Sequence, residues 1–155
     1  MRPVAGHVRK PSCRCRGSSM VEFAIGSGVL IAVFAGTLQF GYTFVQYNRL
    51  ETAVAQGARY ASVIPYDSPN ASPSSAFLTA VKNMVLYGSP TQGASPVVSG
   101  LVPGNVNLNV TFVKGVPGTM TVSIAGYKVD ALFGSSALTG KPIATYPYQG
   151  VWAPL

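Results

Sequence analysis

The residues with the most to offer chemically lie at 17–23, Gly17-Ser18-Ser19-Met20-Val21-Glu22-Phe23. Gly17 is a small residue that ends a basic leader, Glu22 follows five positions later, and an uncharged apolar run begins at Phe23. A carboxylate at the mouth of a membrane helix costs free energy without obvious return, so Glu22 calls for a reason. The plain one is an interfacial carboxylate that reaches up to the headgroups. The sharper one starts from the Gly17–Ser18 bond. Its cleavage would leave a positive α-amino group on Ser18, four positions from Glu22, and on a helix such positions are neighbours. In a packed array the carboxylate could equally meet the amine of an adjacent subunit, and that ion pair would set axial register.

No catalytic set stands beside this one. After the leader there is no His and no Cys, so the usual base and the strongest nucleophile are both absent. Asp67 falls in a linker and Asp130 at a strand end, each without a second acid nearby in sequence. No catalytic residue, cofactor or metal is expected. Cys13 and Cys15 supply two thiolates and His7 a third ligand, whereas a structural zinc site wants four.

Composition points to a membrane. Hydrophobic residues make up 48% of the 155 and charged ones 10%, far below the usual charged share of a soluble domain. The net charge of +7 is concentrated at Arg2, Arg9, Lys10, Arg14 and Arg16. That pattern is a topology signal, since Lys and Arg flanking a span stay cytoplasmic. A short basic arm gives only weak, nonspecific contacts to nucleic acid, and no nucleic-acid partner is expected.

The elements that must position Glu22 follow. Phe23 to Val45 carries no charge and only Gln39 as a strongly polar side chain. As a helix it spans roughly 34 Å, enough for a hydrocarbon core of about 30 Å. It is too long for the apolar region of a secretory signal. Ala24, Gly28, Ala32 and Gly36 recur every four residues and form a smooth ridge on which a second helix could approach closely in lipid. Tyr47, Leu50, Val54, Gly57 and Ala61 continue one helical stripe, and Pro65 stops it. The helix therefore runs from about Ser19 to Val63, half membrane span and half amphipathic stalk.

Residues 65–75 form a Pro/Ser linker. Ser74 or Ser75 N-caps a short helix with Phe77, Leu78, Val81, Val85 and Leu86, which Gly88 ends. After a Gly/Ser/Pro-rich loop over 88–104, alternation at Val106–Phe112 and at Thr119–Ile124 predicts an antiparallel hairpin connected by Gly115-Val116-Pro117-Gly118. Tyr127-Lys128-Val129 is expected to extend the second strand, and the tail with Tyr146, Tyr148 and Trp152 to form an irregular edge strand. The fold class is α+β. Its divisions are a cleaved basic leader (1–17), a transmembrane helix with stalk (18–63) and a small extracytoplasmic domain (64–155).

Gly-x-x-x-x-Glu-Phe between a basic leader and an apolar helix resembles the processing site of type IV pilin-like proteins. Gly17–Ala24 is similar in particular to the TadE-like minor pseudopilins of tight-adherence pilus systems. Leu50–Ala61, with its Gly57-Ala58-Arg59-Tyr60-Ala61 element, resembles that family's helix after the membrane. The resemblance implies cleavage between Gly17 and Ser18 by a membrane prepilin peptidase, with Glu22 as the fifth residue of the mature chain and Phe23 an ordinary successor. It also implies a single pass through a bacterial inner membrane, N-terminus cytoplasmic and C-terminal domain outside. The partners would be the lipid bilayer, the prepilin peptidase, other pilin-like subunits and the pilus assembly machinery. The two cysteines in the leader depart from the pattern. An unprocessed, single-pass, membrane-anchored binding protein is the alternative.

Overall fold

A computed structural model describes residues 17–131, 134–138 and 140–154, except the side chains of 130, 131 and 136. The basic leader, Cys13, Cys15, His7 and the Asp130 side chain, all weighed above, lie outside the described residues. Helix α1 is Ser18–Val63 and α2 is Ser75–Tyr87; five strands follow, β1 Val106–Val113, β2 Val116–Ile124, β3 Tyr127–Ala131, β4 Gly134–Leu138 and β5 Ile143–Pro147. The order is that of an α+β chain, as the periodicities predicted. The chain divides after Leu38 into two compact units, so the C-terminal half of α1 belongs with everything that follows it.

In the first unit, α1 exposes large apolar side chains all round, from Met20 and Phe23 to Leu30, Ile31 and Phe34. Among the described residues the one candidate span lies in this helix, and none of its most apolar stretch is buried within the chain. The two hydroxyls within its apolar run from Phe23 to Leu38 are internally satisfied: Ser27 Oγ donates to the Ala24 carbonyl at 3.0 Å and Thr37 Oγ1 to the Val33 carbonyl at 2.9 Å. A hydrocarbon environment demands such pairing, because no water is there to supply it.

The second unit is built around the other half of α1. Leu50, Ala53, Val54, Ala58 and Ala61 are buried with Phe77, Val81, Val85 and Leu86 of α2 and with Val106, Val110, Met120, Val122 and Ile124 of the sheet. The stripe read from the sequence is thus the face that the small domain covers, widened by Ala53 and Ala58. Helix α2 is bounded as its caps dictate. Ser74 Oγ accepts the Phe77 N–H at 3.2 Å, and Gly88, at φ 69°, turns its N–H back to the Met84 carbonyl.

The three-stranded sheet has the order β1-β2-β5, antiparallel throughout, and β3-β4 make a separate antiparallel pair. Two expectations need correction. The hairpin connection is Lys114-Gly115, not residues 115–118. Val113 pairs with Val116, and φ of 54° and 81° at the two turn residues meets the positive-φ demand of a tight two-residue hairpin. Pro117 and Gly118 belong to β2, where the register shifts against Thr111 and Phe112. Nor do Tyr127-Lys128-Val129 prolong β2. Gly126 takes φ 71°, turning the chain out of the first sheet and into β3, while its N–H donates to the Leu138 carbonyl at 3.2 Å. The tail does form an edge strand, β5 on β2.

Candidate functional site

At the start of α1, Gly17 occupies a turn and Ser18 is the first helical residue. The Val21 N–H donates to the Gly17 carbonyl at 3.3 Å, so the turn is continuous with the helix. Gly17, Ser18, Glu22 and Phe23 are all exposed. Ser18 and Glu22 stand one helical turn apart, about 6 Å along the axis. A cationic group at Ser18 would therefore lie within reach of the Glu22 carboxylate. Ala24, Gly28, Ala32 and Gly36 are exposed as well. Each step of four advances about 40° round a helix, so these positions trace one broad stripe rather than a straight seam. A side-chain carbon added at Gly26, Gly28, Gly36 or Gly41 would meet nothing within 4 Å. Among the described residues nothing requires these glycines to be small.

Gly57 is the opposite case. A Cβ there would run into Val85 Cγ2, with the Val81 carbonyl 3.8 Å away. The glycine is what lets α1 approach α2, and Leu50, Val54 and Ala61 complete that buried face. The other face of the same half-helix stays open. Asn48, Thr52, Gln56 and Arg59 line two shallow grooves of about 330 and 450 Å³, flanked by Val97 on one side and Tyr146 on the other; Arg59 lies on the second. A third groove of about 370 Å³ runs past Arg59, Tyr60, Val63 and Met84. These grooves are mainly apolar and open; Arg49 lines the first, and Glu51 joins Arg59 on the second. Among the described residues no group of three or more His, Cys, Asp or Glu is placed to hold a metal ion.

Both halves of α1 fall within one finding. Residues 17–59 match the family of TadE-like proteins. This N-terminal segment is TadE-like. Comparison with curated proteins and with solved structures gives no match. The TadE-like segment begins at Gly17 and takes in Glu22, the small-residue ridge, Gly57 and Arg59, and it stops short of α2 and all five strands. The part of the chain that matches the family model is confined to the helix and the residue before it. The part that the family does not cover is the domain built round that helix.

Just past the TadE-like segment, the C-terminal tail is clasped to the end of α1. The Tyr148 phenol oxygen accepts the Tyr66 N–H at 2.8 Å, and its hydroxyl lies 3.0 Å from the Ile64 carbonyl and 2.8 Å from that of Val151. Gln149 N–H donates to the Ser62 carbonyl at 2.8 Å, and Trp152 Nε1 to that of Ser68 at 3.1 Å. Tyr66 is fully buried, its ring edge-on to Phe77, Phe112 and Tyr148. Burial pushes both phenols above their ordinary value, Tyr66 with a smaller upward push from Asp67 and some relief from its hydrogen bond with Ser68. Gly150 must be small there, because a Cβ would sit 2.6 Å from the Ile64 carbonyl oxygen and 2.7 Å from the Tyr148 phenol oxygen. The sequence marks the tail's aromatics but not their target, since their contacts with residues 64–68 span 82 to 84 residues.

Proposed function

We propose that this chain is a minor pseudopilin of a tight-adherence pilus assembly system. In this reading it inserts with its basic leader in the cytoplasm and its sheet domain outside the bacterial inner membrane. A prepilin peptidase cuts between Gly17 and Ser18, and the mature helix then packs among other pilin-like helices. The Glu22 carboxylate meets the new Ser18 amine, its own or a neighbour's, and fixes the axial position of the helix.

The observation that carries this reading is the coincidence at Ser18. The TadE-like match, the helix and the proposed mature chain all start within one residue of each other. The exposed stripe of Ala24, Gly28, Ala32 and Gly36 supports it further, because its smoothness serves no contact inside the chain. N-terminal sequencing of membrane-extracted protein, produced alongside a prepilin peptidase, is the test. The expected sequence begins Ser18-Ser19-Met20, and Gly17→Arg is expected to leave the full-length mass. A wild-type chain that keeps its leader beside an active peptidase would make it an anchored protein of another kind.

A further inference from the structure

The three-stranded sheet has an outer face that the pseudopilin reading does not use. Its inner face is closed by the helices. On the outer face the register aligns Asn109, Thr121 and Thr145 straight across β1, β2 and β5. Asn107 and Ser123 form the row on one side, ending in Ile143, and Thr111 and Thr119 the row on the other, ending in Pro147. Every one of these positions is exposed or half-exposed, and none is charged. Val113 and Val116, 53% and 45% exposed, and Ile143, 56% exposed, give the hydroxyl and amide field an apolar border.

This composition is unusual for such a place. Edge strands ordinarily carry charge, Lys above all, to repel further association. Here both edges, β1 and β5, present an uncharged face. Each hydroxyl or amide in the field both donates and accepts. Thr121 Oγ1 and Thr145 Oγ1 lie 2.9 Å apart, and either can be the donor. A ligand that complements the field is therefore neutral, and its own groups both donate and accept at short, regular intervals. Neighbouring strands are about 4.8 Å apart, comparable to the length of one sugar ring. Within the rows themselves a charged polymer would find no counter-ion; Lys114 stands in the turn between Val113 and Val116.

We infer that the outer face of β1-β2-β5 binds a neutral polysaccharide, laid across the strands with its hydroxyls on the Asn/Thr/Ser rows and its C–H faces on the apolar border. The inference is independent of processing at Gly17 and of assembly through α1.

The test is retention of the purified full-length protein, in detergent, on insoluble cellulose, chitin, mannan and agarose, with alginate as the anionic control. Wild type is expected to be retained on at least one neutral polymer and not on alginate. Thr121→Val with Thr145→Val keeps shape and strand preference but removes the central hydroxyls, and is expected to weaken retention about tenfold. Asn109→Lys, at an exposed position, is expected to do the same, whereas Gln56→Lys on α1 is expected to have no effect. Far-ultraviolet circular dichroism checks that each variant is folded. Retention on none of the neutral polymers, or retention unchanged by the folded sheet variants, overturns the proposal. So does self-association that the sheet variants abolish without any retention of wild type, which would make the face a contact between copies.

Discussion

Gly28 and Gly57 look alike in sequence, two glycines on one helix, yet the structure gives them opposite duties. An added methyl at Gly57 strikes Val85, a stiff β-branched side chain in α2. Gly57→Ala is expected to destabilise the second unit by about 1–3 kcal/mol, as overpacking does, with Val85→Ala restoring part of the loss; urea unfolding checks both. Gly28→Leu meets nothing in the chain, so its urea midpoint is expected to stay put while co-purification with other pilin-like subunits falls. Glu22→Ala is expected to leave a Ser18 N-terminus but to lower that co-purification as well, which separates processing from packing. The spacing of Gly17 and Glu22 is local, so a role can be proposed for it from the sequence. The meaning of Gly57 is not local, since the residue it must avoid lies on another helix.

Among the elements, helix boundaries were the most legible part. The Ser74 cap, the Gly88 stop and the break before Pro65 act over one or two turns of chain, and the structure places α1 and α2 accordingly. Turns were less so. Gly115-Val116-Pro117-Gly118 holds the usual turn residues, but the tight connection requires positive φ at Lys114 and Gly115, and Gly118 is used at the register shift instead. The tail was legible as an edge strand but not as a clasp. Tyr148→Phe removes the oxygen shared by the Tyr66 N–H and the Ile64 carbonyl, and is expected to cost about 1 kcal/mol. Its pH dependence follows from the raised phenols. A tyrosine harder to ionise in the folded chain than in the unfolded one gives stability that is fully present below about pH 10. That contribution is lost as pH rises through the folded-state value. Unfolding midpoints are thus expected to hold steady to about pH 10 and fall above it, less steeply in Tyr148→Phe.

At the scale of the molecule, α1 carries the TadE-like match, and its C-terminal half also forms part of the core of the second unit. The sequence shows the amphipathic stripe but not what lies on it, so the helix reads as a stalk standing clear of the domain. Leu50, Val54 and Ala58 are fully buried, and a fragment cut at residue 64 would forfeit all of them. Residues 39–155 are expected to give a cooperative unfolding transition, whereas 64–155 are expected to show none. Circular dichroism melts of the two fragments check this. The division after Leu38 and the shared core both argue for the longer piece.

The clasp carries one more consequence, for the timing of biogenesis. Tyr148, Gln149 and Trp152 leave the ribosome more than eighty residues after the Ser62–Ser68 backbone that they bind. Contacts of such separation form late. The second unit therefore cannot lock until these residues have been made, and through that interval its half-built core stays open.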